Sequence, residues 1–157
     1  MNIGIIVYSK SGNTESTARR VQESISTTGH QVKTELITIK GELKPGETNI
    51  EFENRPDPGE YDLLFFGAPV QAFSAALVMS SYLDKLSSLQ NKKVFCFVTK
   101  GLPFNWTGGN RALNQMKKIC KEKGAKVSGT GIVKWGKNRD QDIEELVQKV
   151  KTLISKL

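Results

Sequence analysis

The chain has 157 residues, of which 38% are hydrophobic and 25% are charged, and its formal net charge at pH 7 is +7. This length is that of one ordinary globular domain, and the composition excludes both a disordered segment and a membrane-embedded protein. No apolar stretch approaches the roughly 18 residues that a helix needs to span a bilayer, and the first residues lack the pattern of a secretion signal. We therefore expect one domain over residues 1–157, cytoplasmic and without membrane insertion.

Five strands are predicted along the chain. Uninterrupted apolar runs at residues 3–8, 63–66 and 94–98 are typical of parallel strands that helices cover on both faces. Residues 31–40 and 126–135 mix polar residues or glycines with apolar ones, which is typical of strands at the edges of a sheet.

Apolar residues recur at the spacing of a helix in four stretches, which cover residues 18–25, 78–86, 113–120 and 143–157. Strands and helices therefore alternate, which predicts a three-layer α/β/α fold with a five-stranded parallel sheet in the order 2-1-3-4-5. In such a sheet the strand order reverses between strands one and three. Ligands bind outside the carboxyl ends of the strands at that point.

Residues 39–60 occupy the place where a second crossover helix would normally lie. Pro45, Pro56 and Pro58 argue against a regular helix through the whole of this stretch. The sequence leaves open whether this acidic segment is a lid, a partner surface or neither.

The two cysteines, Cys96 and Cys120, each lie among apolar residues. Neither belongs to a CxxC motif or has a second metal-type ligand nearby in the sequence. We therefore expect two free thiols in a reducing compartment, and we expect no metal site.

The segment SKSGNT, residues 9–14, follows the first strand directly. It lies at the predicted start of a helix, whose unpaired N–H groups and dipole favour an anion. Ser9, Ser11 and Thr14 add hydroxyl groups, a glycine lets the backbone approach a ligand closely, and Asn13 is expected to cap the helix. The segment matches neither GxxxxGKS/T nor GxGxxG, so one terminal phosphate fits better than a nucleoside triphosphate or a dinucleotide. A capped turn without a ligand is the alternative interpretation.

The same segment resembles the phosphate-binding loop of the flavodoxin family, whose pattern is S/T-x-S/T-G-N-T. Two further stretches resemble the other FMN loops of that family, namely GAPVQAF at residues 67–73 and the stretch at residues 99–109. The resemblance covers essentially the whole chain. It implies a flavodoxin-like fold, noncovalently bound FMN and electron transfer through the flavin ring.

By this resemblance the contacts to FMN come from three loops, and no residue is expected to be catalytic. The cofactor-binding residues that it implies are Ser9, Lys10, Ser11, Gly12, Asn13, Thr14, Ala68, Pro69, Val70, Gln71, Ala72, Phe73, Thr99, Lys100, Gly101, Asn105, Trp106, Thr107 and Gly108.

The second loop departs from the family pattern at two positions. Gln71 stands where many flavodoxins have an aromatic residue stacked on the flavin, so we expect Phe73 to take that role or the ring to be covered from one side only. Trp106 is expected to cover the second face.

Ala72 stands where the family has Gly or Asn, in a turn whose peptide flips on reduction. The flipped turn needs a positive φ, which costs a residue with a Cβ about 1 kcal/mol, so we expect the one-electron stage of reduction to be poorly stabilised.

Charge is distributed unevenly along the chain. Residues 41–62 contain seven acidic and two basic residues, whereas residues 91–139 contain twelve basic residues and one acidic residue. The basic residues are expected to attract an acidic partner toward the third loop.

Residues 68–76 and 99–111 contain no Asp or Glu, so the surroundings of the flavin are less acidic than is typical of flavodoxins. We therefore expect a less negative two-electron potential.

Three functions are consistent with these patterns. The first is an electron carrier whose redox partner is a protein with an acidic docking face. The second is an NAD(P)H-dependent FMN or quinone reductase, in which a nicotinamide or a quinone reacts with the flavin. The third, nucleic-acid binding on the basic face, is disfavoured because the chain has no recognisable nucleic-acid motif. We favour the carrier, since no side chain has the features of a catalytic group.

Overall fold

The structure, a computed structural model, describes residues 1–44, 46–70, 74–101 and 108–157. Within these ranges the chain forms six strands and four helices. The strands are β1 (Asn2–Tyr8), β2 (Gln31–Ile39), β3 (Phe52–Asn54), β4 (Leu63–Val70), β5 (Lys93–Lys100) and β6 (Lys126–Lys134). The helices are α1 (Asn13–Ser26), α2 (Ser74–Asp84), α3 (Gly108–Glu122) and α4 (Arg139–Ser155). None of these four helices is long and apolar enough to span a membrane.

The six strands of the described ranges form one sheet in the order β3-β2-β1-β4-β5-β6. β1 pairs in parallel with β2 and β4, β4 pairs in parallel with β5, and β5 pairs in parallel with β6. The predicted order of the five parallel strands is therefore confirmed. The strand order reverses between β1 and β4, as expected.

The predicted number of strands is wrong by one, because β3 was not foreseen. It runs antiparallel to the end of β2, with Phe52 opposite Ile39. The N–H group of Lys40 donates to the carbonyl oxygen of Glu51 over 2.9 Å. Since the chain after β2 turns back on itself instead of forming a crossover helix, the backbone groups at the end of β2 pair with this returning segment.

Helices cover both faces of the sheet, and each face has its own apolar core. Ile5 of β1 belongs to the core that packs against α1 and α4, together with Val150. Ile6 belongs to the core that packs against α2 and α3, together with Met116. Neighbouring residues of one strand point to opposite faces, so an unbroken apolar run is what a strand covered on both faces requires.

Two central strands are longer than predicted, since β4 continues to Val70 and β5 to Lys100. The apolar run that predicts this strand ends at residue 66, and the predicted second loop begins at Gly67. A Cβ on Gly67 would lie 2.3 Å from Cζ of Phe97 on β5, so the glycine is required by packing between the strands. Residues 68–70 are therefore the end of a strand and not part of a loop.

The segment between β2 and β4 forms no helix within residues 40–44 and 46–62, which agrees with the expectation drawn from its prolines. It is held against α2 by Tyr82, whose hydroxyl donates to the carbonyl oxygen of Pro56 over 2.5 Å. The Tyr82 ring also meets the Phe52 ring edge-on, with 6.4 Å between the ring centroids. Burial raises the pKa of Tyr82 above its ordinary value.

Cys96 and Cys120 are free and buried, as the sequence predicts. A hydrogen bond with Cys120 and burial raise the pKa of the Cys96 thiol well above its ordinary value. Among the described residues, no group of three or more His, Cys, Asp or Glu side chains is placed to hold a metal ion.

Candidate functional site

The carboxyl ends of three neighbouring strands meet at one edge of the sheet. β1 ends at Tyr8, β4 at Val70 and β5 at Lys100, and these strands are adjacent in the order β1-β4-β5. We call this edge the carboxyl rim, and its described residues are 9–14, 68–70, 99–101 and 108–109. It lies at the reversal of strand order, where ligands bind in open α/β sheets.

The first loop of the carboxyl rim joins β1 to α1 and turns at Gly12. Gly12 has φ 92°, in the left-handed region that glycine adopts without strain. Apart from Gly12 itself and its two chain neighbours, no described residue has an atom within 4 Å of the position that a Cβ on Gly12 would occupy, so the space beside the turn is open. Lys10, Ser11 and Gly12 are exposed, whereas Ser9 and Asn13 are half-buried.

The expectation that Asn13 caps α1 is wrong. Gly12 is the N-cap residue and makes no side-chain cap, while Asn13 is the first residue of the helix. The hydroxyl of Ser9 instead accepts a hydrogen bond from the N–H group of Glu15 over 3.2 Å. The left-handed turn at Gly12 makes Asn13 the first residue of the helix. Ser9, which directly follows β1, then supplies the acceptor for an N–H group of the first helical turn.

This loop has the features of an anion site. The N–H groups of the first helical turn have no acceptor within the helix, and the helix dipole places partial positive charge at the same end. The open space beside Gly12 and the exposed Ser11 hydroxyl border that end. The acidic residue of the first turn, Glu15, forms an ion pair of 3.0 Å with Arg19, which offsets its negative charge. A phosphate group fits this arrangement.

Two buried threonines connect the first loop to β5. The hydroxyl groups of Thr14 and Thr99 share a hydrogen bond of 2.9 Å, and both residues are buried. The sequence assigned both to cofactor contacts. The structure joins them to each other beneath the carboxyl rim, so they hold the start of α1 at a fixed place relative to the end of β5.

Lys100 is the last residue of β5 and is only 7% exposed. Its side chain lies across Gly109, in the first turn of α3, where an added Cβ would be 2.5 Å from Lys100 Cε and 3.3 Å from Nζ. Burial, and secondarily the charge of Lys134 on β6, lower the pKa of Lys100 below its ordinary value. The first turn of α3 contains no acidic residue. A buried cation thus lies at the positive end of a helix.

Of the other residues predicted to contact FMN, five lie in the described ranges and six lie outside them. Ala68 and Pro69 are buried and Val70 is half-buried in β4, while Gly101 is exposed and Gly108 begins α3. Six predicted contacts lie outside the described residues, and their roles stay predictions. These six are Gln71, Ala72, Phe73, Asn105, Trp106 and Thr107.

Sequence reasoning did not include Gly109 and Lys134 among the site residues. Lys134 pairs with Lys100 in the register of β5 and β6. The predicted strand order already placed these two strands side by side, so it could have identified Lys134. Gly109 is the second of two adjacent glycines at the end of the stretch that resembles the third FMN loop. Gly109 leaves room for the Lys100 side chain, and the spacing of residues in the sequence does not reveal this contact.

Comparison with known proteins identifies the family. The Flavodoxin domain family model matches residues 4–155. The chain belongs to the flavodoxin family. No curated protein sequence gives a significant match.

Solved flavodoxins share the fold along the whole chain. Flavodoxin 2 from Bacillus cereus has a TM-score of 0.76 at 20% identity, with all of both chains covered. The flavodoxin of Streptococcus pneumoniae TIGR4 has a TM-score of 0.74 at 17% identity, again with all of both chains covered. Two-electron reduced Megasphaera elsdenii flavodoxin has a TM-score of 0.67 at 22% identity, with 96% of this chain and 98% of that chain covered.

Membership of the flavodoxin family implies bound FMN and a role in electron transfer. The described residues fit that cofactor, because the open turn at Gly12 and the start of α1 form a site for one terminal phosphate. Both the predicted family and the predicted cofactor are thereby confirmed.

Proposed function

We propose that this flavodoxin is a cytoplasmic, single-domain electron carrier that binds FMN at the carboxyl rim and exchanges electrons with a protein partner. The observation that carries the proposal is the first loop, whose left-handed Gly12 leaves open space at the amino end of α1. Bound FMN supplies the electron-accepting ring, while the protein supplies position and electrostatics.

The chain's own residues have distinct roles in this proposal. The N–H groups at the start of α1 and the Ser11 hydroxyl bind the phosphate. Ser9 holds the N–H group of Glu15 and so fixes the first turn of the helix. The Thr14–Thr99 hydrogen bond fixes that turn against β5. No described side chain is needed as a proton donor or a nucleophile, which favours a carrier over an enzyme.

The distribution of charge supports a partner with an acidic docking face. Lys10, Arg111, Lys134 and Lys137 are exposed near the carboxyl ends of the strands or at the start of α3. The acidic segment, residues 41–62, lies beside β2 and includes β3, at the opposite edge of the sheet from β6. A partner with negative charge is therefore steered toward the β5–β6 side of the carboxyl rim.

Small electron acceptors of opposite charge test this steering. Reduced protein should be oxidised faster by anionic ferricyanide than its potential alone predicts, and the rate should fall as ionic strength rises. Cationic hexaammineruthenium should show the opposite dependence on salt. The double variant Arg111→Gln, Lys137→Gln should weaken both dependences. Rates that do not respond to salt would contradict a docking face at this rim.

The alternative is an NAD(P)H-dependent FMN or quinone reductase. Lys100 and Lys134, next to the end of β5, favour it because positive charge makes reduced flavin more stable and suits two-electron chemistry. The carrier and the reductase differ in whether a nicotinamide can reduce the bound flavin directly.

Anaerobic reduction of the FMN-loaded protein distinguishes the two functions. A carrier should retain FMN at micromolar concentration and stay oxidised when NADH or NADPH is added, yet be reduced by dithionite. Rapid bleaching by either nicotinamide, with turnover when a quinone is added, would overturn the carrier in favour of the reductase. Failure to retain FMN at micromolar concentration would overturn both.

A further inference from the structure

A groove of about 860 Å³ lies between α4 and the edge strand β6. Gly129 of β6, Phe95 of β5 and Leu153 of α4 line it together with polar residues of α4, and no described residue of the carboxyl rim borders it. Because Gly129 has no side chain, the backbone of β6 borders the groove directly. The volume is in the range of clefts that hold ligands.

The backbone of β6 is open to a further strand on its outer side. β6 is the last strand of the sheet and pairs only with β5 among the described strands. The carbonyl oxygen of Thr130 accepts a hydrogen bond from Nζ of Lys149 over 3.1 Å. The N–H group of Lys134 donates to the Asp142 carboxylate over 2.9 Å. Both backbone groups face away from β5, and since this direction alternates along a strand, the N–H and carbonyl groups of Ile132 face outward as well.

Positive charge predominates along the groove and at the start of β6. Of the two acidic residues that line the groove, Glu144 forms an ion pair of 2.8 Å with Arg20, which offsets its charge, and Glu145 remains. Three exposed lysines line the groove or begin β6, namely Lys126, Lys149 and Lys156. An occupant with acidic side chains is therefore complementary to this surface.

We propose that β6 accepts an extended, acidic segment of a partner protein, which adds to the sheet as a further strand along residues 129–132 and places an apolar side chain in the groove. Hydrogen bonds to the outward backbone groups of Thr130 and Ile132 supply affinity, and the groove supplies specificity. An N–H group of the added strand replaces Lys149 at the Thr130 carbonyl, and the released ammonium group pairs with an acidic side chain. This surface lies apart from the proposed FMN site, and the inference does not depend on that site.

Charge opposes a second copy of this chain as the occupant. If two β6 strands paired in antiparallel fashion about a two-fold axis at Thr130, Lys126 of one copy would lie opposite Lys134 of the other. The two Lys149 side chains, each bonded to Thr130, would also meet at the axis. Like charges directly opposite each other destabilise a pair of strands.

Three labelled peptides of nine residues test the proposal. EETVTFTEE is acidic and able to pair as a strand, KKTVTFTKK carries the opposite charge, and EETPPFTEE keeps the acidic charge but has two successive prolines that cannot donate backbone hydrogen bonds. Binding to the FMN-loaded protein is followed by the fluorescence anisotropy of a red label. EETVTFTEE should bind about tenfold more tightly than either of the other peptides. Equal affinities for EETVTFTEE and EETPPFTEE, or no binding of EETVTFTEE up to about 1 mM, would overturn strand addition.

A backbone variant locates the binding at β6. Thr130→Pro removes an outward N–H group, and an edge strand tolerates a proline whose N–H group would face solvent. This variant, with its fold checked by circular dichroism, should bind EETVTFTEE no better than EETPPFTEE. Undiminished binding of EETVTFTEE would contradict pairing with β6.

Two charge variants of α4 test the groove without altering the backbone of β6. Lys156 lines the groove, whereas Lys151 is exposed elsewhere on the same helix. Lys156→Gln should weaken the binding of EETVTFTEE about twofold to threefold, and Lys151→Gln, which removes the same charge, should leave it unchanged. Equal effects of the two variants would overturn the assignment of the groove.

Sedimentation of the FMN-loaded protein tests the other occupant. The protein should be monomeric, and it should remain so in Thr130→Pro. A dimer that Thr130→Pro dissociates would overturn the proposal in favour of a second copy at β6.

Discussion

The two edges of the sheet use lysine in different ways. At the amino ends of the strands, which we call the amino rim (residues 59–62 and 89–93), Lys92 Nζ donates to the carbonyl oxygens of Gly59 over 2.9 Å and Tyr61 over 2.6 Å. The N–H group of Asn2 donates to the carboxylate of Asp62 over 2.9 Å. Polar groups at the amino rim therefore bond to one another and close the turns.

At the carboxyl rim the polar groups are arranged differently. Gly12 borders open space at the start of α1, where the N–H groups have no acceptor within the helix, and Lys100 is buried against α3 next to another lysine. The hydroxyl groups of Thr14 and Thr99 bond to each other beneath the surface. At the amino rim the polar groups bond to one another, whereas at the carboxyl rim the first loop borders open space from which a ligand can reach the helix N–H groups. Changes at the amino rim should therefore alter stability alone, and changes at the carboxyl rim should alter FMN binding.

The largest change in stability is expected from Thr14→Val. It leaves the buried Thr99 hydroxyl without its threonine partner, which should lower the free energy of unfolding by about 1 to 3 kcal/mol. The double variant Thr14→Val, Thr99→Val removes both polar groups and should cost less than the single variant. Urea unfolding of the FMN-free proteins measures both values. A double variant that loses the sum of two single losses would show that the hydroxyl groups act independently.

Lys92→Met should cost about 1 to 2 kcal/mol, because two charge-assisted hydrogen bonds to carbonyl groups are lost and water replaces them in part. The affinity for FMN and the midpoint potential should not change, since Lys92 lies at the amino rim. Unfolding in urea and a flavin titration of the same preparation give both results. Weaker FMN binding by this variant would contradict the claim that changes at the amino rim alter stability alone.

Gly12→Ala should weaken FMN binding about fivefold to tenfold, because a residue with a Cβ at φ 92° costs about 1 kcal/mol and distorts the phosphate loop. Gly29→Ala is the matched control. Gly29 has φ 84° and lies just beyond the other end of α1, and an added Cβ there meets no described residue within 4 Å apart from its chain neighbours. Both variants should lose similar stability, and only Gly12→Ala should lose FMN affinity. Equal affinity losses would point to a general effect of helix stability.

The smallest expected effect concerns pH. Burial lowers the pKa of Lys100, so the folded state releases this proton at lower pH than the unfolded state. Between the two pKa values the unfolded state binds more protons, and Lys100 therefore contributes stability that rises with pH. Any stability advantage of FMN-free Lys100→Met at pH 7 should shrink as pH approaches 10. Urea unfolding of both proteins across this range measures the difference, and an advantage that grows with pH would contradict a lowered pKa.

Much of the fold was predictable because strands buried on both faces leave unbroken apolar runs. The three central parallel strands follow from those runs, the two outer parallel strands from mixed polar and apolar residues, and the order from right-handed crossovers. β3 was missed because three residues in a proline-rich segment carry no periodicity, and their pairing with β2 depends on a turn of the chain. The end of β4 was missed because Gly67 suggests a loop, although Phe97 on the next strand requires it.

The site was predictable in the first loop and less so elsewhere. The hydroxyl groups and glycine of SKSGNT identify a phosphate site from local chemistry alone. The Thr14–Thr99 bond joins residues 85 positions apart, and no local pattern predicts it. The burial of Lys100 was also outside sequence reasoning, because lysine is almost always exposed and its burial here depends on Gly109.

The location of FMN at the carboxyl rim is tested most directly by NMR. Uniformly ¹⁵N-labelled FMN-free protein is titrated with FMN, and the backbone amide signals are followed. The account predicts the largest changes at residues 9–14 and 99–101, with little change at the amino rim or at Gly29. Changes concentrated at residues 59–62 and 89–93, or none at the first loop, would contradict it.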